Sequence, residues 1–141
     1  MPLQMDLDEL NAFLAGAFDG ERPYVVTALS EERCRLVLPG EHVTTRPGGT
    51  VAGPTLMMLA DAAAYAMVLA RIGPVALAVT SNLSISFLHR PAPGDLLADA
   101  SVLKVGRRLA VVEVRLHARD HQDPVAHATV TYAIPPGHDA G

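Results

Sequence analysis

The chain has 141 residues, half of them hydrophobic, but only three Phe, three Tyr and no Trp, so its length suits one domain with an aliphatic, Ala-rich core. A net charge of −4 argues against a dedicated nucleic-acid binder, which needs a basic face. The single cysteine, Cys34, excludes an internal disulfide and a Cys-rich zinc site, and it reads as a half-buried strand residue.

The first residues, Met1-Pro2-Leu3-Gln4-Met5-Asp6, place an acid where a secretory signal would carry positive charge before an apolar run. The expectation is a soluble cytoplasmic protein. Leu7, Leu10, Phe13, Leu14 and Ala17 recur at spacings of three and four, which predicts a short amphipathic helix over about 6–18. Asp6 and Asp8 suit the positive end of its dipole, and Asp19-Gly20 with Pro23 ends it. Tyr24 to Leu29 is a β-rich run, Ser30-Glu31-Glu32 is a turn, and Arg33 to Leu38 alternates polar and apolar residues. These two runs pair naturally as a hairpin. Pro39 to Val51 is irregular, punctuated by Pro and Gly, with His42, Thr44, Thr45 and Arg46 as its polar side chains. It reads as a connector or as a site loop.

Residues 53–70 form the segment around which the chain is organised. Gly53 then Pro54 is a helix start, and Ala, Leu and Met follow at high density. Apolar residues lie on every face, so the helix must be buried all round. It carries one charge before Arg71, namely Asp61. A carboxylate there is costly unless bonded, paired or protonated. Asp61 is either a polar residue satisfied at a helix or subunit contact or a catalytic acid. The segment is slightly short for a membrane span, and a mid-segment carboxylate is expensive in lipid, so no membrane partner is expected.

Ile72-Gly73-Pro74 breaks the helix, and long strands follow. Val75 to Leu88 becomes alternating, with Leu83, Ile85 and Phe87 on one face and Asn82, Ser84 and Ser86 on the other. Pro91 to Asp95 is a turn. Leu96 to Val105, Arg108 to Arg119 and Val125 to Ile134 complete a meander-like set, and residues 135–141 form a frayed tail. The order is α, ββ, a long helix, then ββββ, which is α+β rather than alternating βαβ. An antiparallel sheet of five to six strands curled around the central helix is the simplest way to bury it. A curled sheet still leaves an outer face and an edge, and alternating apolar residues on its strands favour covering those by association of subunits. The six His show no convincing ligand spacing, although His117 and His127 fall on one hairpin, so no metal site is expected.

The segments GTVAGPTLMMLADAAAYA (49–66), TSNLSISFLHRPAPGD (80–95), KVGRRLAVVEV (104–114) and PVAHATVTYAI (124–134) resemble the hotdog fold, and more narrowly the PaaI-like acyl-CoA thioesterases. The resemblance runs from about Val43 to Ile134. The family's hallmark is His-Gly-Gly with an acid nine positions after the His. Here that spacing joins position 52 to Asp61, with Ala52 in place of His, Gly53 kept, and Pro54 in place of the second Gly.

The resemblance implies hydrolysis of an acyl-CoA to free acid and CoA across a single domain, 1–141. Asp61 is the implied nucleophile or general base, and the Gly53 N–H polarises the carbonyl at a helix N-terminus. Thr80 matches a small hydroxyl that can orient water. Arg46, Pro54, Tyr65 and Asn82 are implied substrate-side positions. His89-Arg90 and Arg107-Arg108 are candidates for the phosphates of CoA. No cofactor is implied beyond CoA within the substrate. The implied assembly is at least a homodimer with sites at its interface, and a homotetramer by likeness. Two other readings carry different chemistry: a non-catalytic hotdog module that binds an acyl thioester, and a dehydratase-like enzyme, which ranks last because Ala52 removes the obvious His.

Overall fold

The computed structural model describes residues 2–16, 24–43, 45–119 and 121–136. Helix α1 (Leu7–Gly16) opens on a reciprocal pair of bonds. The Glu9 N–H donates to Asp6 Oδ1 at 2.8 Å, and the Asp6 N–H donates to Glu9 Oε1 at 3.2 Å. This capping box satisfies two donors that a helix start otherwise leaves orphaned. Leu10 and Leu14 anchor the buried face. Positions 17 and 18 of the expected helix, and its Asp19-Gly20 and Pro23 stop, lie outside the described residues, as do Thr44, Asp120 and residues 137–141 of the tail.

Strands β1 (Val25–Leu29) and β2 (Arg33–Leu38) pair antiparallel as the sequence predicts. Helix α1 packs beside the β1 edge. The Asn11 side chain donates to the Val26 carbonyl and accepts from the Val26 N–H, both at 2.9 Å, which imitates a neighbouring strand.

The 39–51 stretch contains more order than a connector. After a 3-10 turn at Gly40–His42, β3 (Thr45–Arg46) pairs with β4 (Thr50–Val51). Gly48 and Gly49 turn the ribbon at φ of 100° and 79°, where a Cβ would be strained. A two-residue ribbon is too short for alternation to reveal it.

Helix α2 (Gly53–Ile72) fills the concave face of the sheet. Pro54 sits in its first turn, and Gly73 closes its end at φ 97° with the Gly73 N–H donating to the Leu69 carbonyl at 2.8 Å. It is long and apolar enough to cross a bilayer, yet 78% of its most apolar window is buried within the protein.

Four long strands follow: β5 (Val79–Phe87), β6 (Leu96–Val105), β7 (Leu109–Ala118) and β8 (Ala126–Ala133). They join β1 and β2 in a six-stranded antiparallel sheet of order β1-β2-β6-β7-β8-β5. The fold is α+β, a sheet wrapped around one helix. Its inner face is made of Leu36, Leu38, Leu96, Leu116, Val112, Val114 and Val130 among many Ala. Small residues on both helix and sheet let the two backbones approach closely.

Three expectations change. Residues 75–78 are a turn, not strand, because the Val75 N–H turns back to Gly73 and the Ala78 N–H to Val75. The last four strands are not a simple meander, since β5 pairs with β8 and not with β6. Residues 88–95, with Pro91 and Pro93, cannot make a tight hairpin, but they can span the roughly 14 Å across two intervening strands. Cys34 is buried fully rather than by half. Burial and then the nearby Asp99 charge push its thiol up to about 12.

The outer face is largely polar, as the alternation on the strands predicts. Arg35 forks onto Asp99 at 2.7 and 3.0 Å, and His117 Nε2 meets the same carboxylate at 2.9 Å. His127 and His117 take different partners across the sheet: His127 pairs with Glu113 at 2.9 Å, while His117 is held by Asp99.

The Asp99 network predicts an acid limit to stability. Burial pushes the Asp99 carboxyl up, but hydrogen bonds from Arg35 and His117 outweigh it and hold the group below its ordinary 3.8. A depressed carboxyl contributes stability above its unfolded value and loses it as pH falls through its folded value. Urea midpoints of the native chain are expected to decline below about pH 3.8 more steeply than those of Asp99→Asn.

Candidate active site

Asp61 lies on the only stripe of α2 that the sheet leaves partly uncovered. Pro54, Met57 and Met58 are exposed, and Asp61 is intermediate. These positions recur at three and four, so they share one side of the helix. Asp61 is therefore not sealed in the core but sits at the rim of a cavity.

Two hydroxyls hold it. Thr80 Oγ1 donates to Asp61 Oδ1 at 2.6 Å, and the Tyr132 hydroxyl donates to the same oxygen at 2.8 Å. The Tyr132 hydroxyl is also 3.2 Å from the Asp61 carbonyl. Tyr132 stacks on Tyr65 with ring centroids 5.6 Å apart, and the Tyr65 hydroxyl donates to the Ala76 carbonyl at 3.3 Å. Burial, together with the Asp61 charge, pushes the Tyr132 phenol well above its usual range, so it stays a donor. Around this cluster lies a cavity of about 310 Å³, walled by Tyr24, Met58, Ala62, Ala78 and Val79 together with the two tyrosines.

The sheet register explains the arrangement. Thr80 is directly opposite Tyr132 on β8, so both side chains share the inner face. A bulge follows at once, because Asn82 pairs with Thr131 and Ser81 is left over. The extra residue reverses the alternation. Asn82, two positions after Thr80, is carried to the outer face beside Thr131, away from Asp61.

The other expected site residues fall into two groups. At the N-terminal end of α2, Gly53 lies against Phe87, with a built Cβ 3.6 Å from its ring. Arg46 on β3 and Pro54 belong to this end, and so do His89 and Arg90, since the Val51 N–H bonds to the Pro91 carbonyl at 3.3 Å. Arg107 and Arg108 lie at the opposite end of the sheet, in the turn leading to β7, where the Arg108 carbonyl accepts from the Ile134 N–H. That is the end carrying Thr80 and Tyr132.

Gly53 and Asp61 are not brought together within the chain. Eight residues of helix at 1.5 Å each separate them by about 12 Å. Among the expected residues, the structure joins Asp61, Thr80 and Tyr65 and sets Gly53 apart with Arg46, Pro54, His89 and Arg90. Sequence reasoning missed Tyr132. Its signal was weak: one hydroxylated aromatic in a strand otherwise lined on that face by Ala126, Ala128 and Val130. Among the described residues, no group of three His, Cys, Asp or Glu could hold a metal ion.

Comparison with known proteins agrees with this architecture. A family model described as the thioesterase superfamily matches residues 48–125, more than half of the chain. A Halobacterium salinarum protein provisionally named an esterase is 40% identical over 90 residues. That match covers 60% of this chain and 59% of the relative, so the chain spans less than two thirds of that protein's length. A provisionally named thioesterase from a Silicibacter species, known from its crystal structure, is 44% identical, with 96% of each chain covered and a TM-score of 0.88. A single-residue mutant of the phenylacetic acid degradation protein PaaI from Thermus thermophilus is 23% identical, with 79% of this chain and 93% of that one covered and a TM-score of 0.67, a likeness of fold. The chain belongs to the thioesterase superfamily and has the hotdog fold.

Proposed function

We propose that the chain is an acyl-CoA thioesterase, releasing a free acid and CoA, with Asp61 as nucleophile or general base and the Gly53 N–H as donor to the carbonyl oxygen. The observation that carries this reading is a helix carboxylate held by Thr80 at the rim of an apolar cavity of about 310 Å³. As general base, Asp61 takes a proton from water while the water oxygen adds to the thioester carbonyl; the C–S bond then breaks and CoA leaves as the thiolate, which gains the proton. As nucleophile, it forms an acyl anhydride that water cleaves. In either case negative charge builds on the carbonyl oxygen, and a free N–H at a helix start is well placed to receive it.

The separation of about 12 Å between Gly53 and Asp61 means that one chain does not supply both groups to one carbonyl. A homodimer resolves this. Strand β5 is a nine-residue edge that no other strand covers among the described residues, and Val79 and Phe87 at its ends are half exposed. Two such edges paired antiparallel about Leu83 set the Phe87–Gly53 end of one subunit beside the Val79–Thr80 end of the other. Each site then combines Gly53 of one chain with Asp61 of its partner. The same pairing brings Arg46, His89 and Arg90 of one chain toward the end that carries Arg107 and Arg108 of the other, which supports them as phosphate contacts for CoA. A tetramer built from two such dimers completes the assembly implied by the resemblance.

Two experiments test this. In a thiol-release assay over short, medium, long and aromatic acyl-CoAs, Asp61→Asn is expected to lower kcat by about a hundred-fold to ten-thousand-fold while acyl-CoA binding persists. No release by the native chain on any substrate would turn the reading toward a module that only binds acyl thioesters. Mixing two inactive chains, Asp61→Asn and Gly53→Pro, then tests the shared site. Random reassembly makes half the dimers mixed, each with one intact site, so recovery of about a quarter of native activity is expected for a two-fold dimer. Absence of recovery between two folded variants would place both groups in one chain.

A further inference from the structure

Asp61 is engaged on one side only. Both hydroxyl donors, Thr80 Oγ1 at 2.6 Å and Tyr132 at 2.8 Å, converge on Oδ1. Among the described residues no donor reaches Oδ2. A carboxylate left to itself rotates about its last torsion, so its two oxygens exchange roles. Two donors fixed on one oxygen remove that freedom and distinguish the pair.

Tyr132 is unusually well placed to hold its end. It is 3% exposed, its ring is stacked on Tyr65, and its backbone lies in the β8 ladder opposite Thr80. Its hydroxyl therefore cannot wander. Tyr65 is in turn tied to the Ala76 carbonyl at the cavity wall. The shorter of the two Tyr132 contacts goes to the Asp61 carboxylate and the longer to the main-chain carbonyl, so the single phenolic proton serves the side chain first. A bond to an ionised acceptor is also the stronger of the two.

We propose that Tyr132 is a positioning residue for Asp61: with Thr80 it pins Oδ1 and reserves Oδ2 as the oxygen that attacks the thioester or takes the proton from water. The proposal rests on the thioester-hydrolase reading and adds to it the identity of the reacting oxygen and the residue that selects it. The Tyr132 hydroxyl stabilises the ionised carboxylate and does not itself touch the substrate.

Tyr132→Phe keeps the ring and its stack and removes only the oxygen. On the best acyl-CoA of the panel, kcat is expected to fall roughly ten-fold, the cost of one hydrogen bond to a charged group, with KM changed less than about two-fold. Loss of a donor to the ionised form also moves the acid limb of the rate–pH profile upward. Thr80→Val is expected to move that limb in the same direction, and the double variant further than either. If Tyr132→Phe does not fold, 3-fluorotyrosine at position 132, a stronger donor of nearly the same shape, is expected to move the limb downward. A folded Tyr132→Phe with native kcat and acid limb overturns the inference, even if its unfolding midpoint drops, because the hydroxyl then only fastens helix to sheet. An unmoved limb with 3-fluorotyrosine does the same. A native chain inert toward every thioester overturns the hydrolase reading and this inference with it.

Discussion

A helix with fourteen of its twenty residues buried is stable only inside something, and that requirement shapes this molecule. Helix propensity alone would hold such a segment together weakly; removal of its apolar surface from water contributes more. A flat sheet covers one face of a helix. A curled six-stranded sheet covers most of its circumference, and the Ala residues on α2, β6, β7 and β8 allow the curl to close tightly. What the curl cannot reach is one stripe, through Pro54, Met57, Met58 and Asp61. The enclosure that stabilises the fold thus selects where chemistry can occur, since the stripe is the one part of the helix open to a ligand.

On that stripe the carboxylate is made useful by its neighbours. Thr80 and Tyr132 come from the two strands farthest along the sheet, and they meet because the β5–β8 register sets them opposite each other. The bulge one residue later keeps Thr80 inward and sends Asn82 outward. Without the bulge, Thr80 and Asn82 would share a face, as a plain two-residue period suggests.

The two edges of the sheet are treated differently. At β1, the Asn11 amide occupies the Val26 donor and acceptor, and α1 packs beside the strand. At β5, nine residues stay open among the described elements, with Val79 and Phe87 among the exposed large hydrophobic side chains. The outer face, by contrast, is occupied by charge pairs among Arg35, Asp99, His117, Glu113 and His127. Val25, Leu103 and Leu109 are exposed elsewhere, but Met57, Met58, Val79 and Phe87 set uncovered apolar surface on the edge of the sheet and the stripe of the helix, which adjoin. This is the surface that the proposed dimer uses.

The sequence by itself determined the long helix, its Gly-Pro start and Gly73 stop, most strand limits to within a residue, and Asp61 as the single charge that needed explaining. These are local properties: helix formers in a run, breakers at its ends, and a period of two on the strands. Its motifs also carried the family, through the nine-residue spacing from Ala52 to Asp61 and the Gly53 between them. The tertiary structure alone decided which strands neighbour one another, because β5 pairs with β8 and reaches β6 only through a Pro-rich link whose span no periodicity encodes. It alone turned Asn82 from the site, since a bulge is a property of two paired strands and not of one. It alone brought Tyr132 to Asp61 from 71 positions away. It also separated Gly53 from Asp61, because adjacency in a motif becomes distance along a helix once each residue rises by about 1.5 Å.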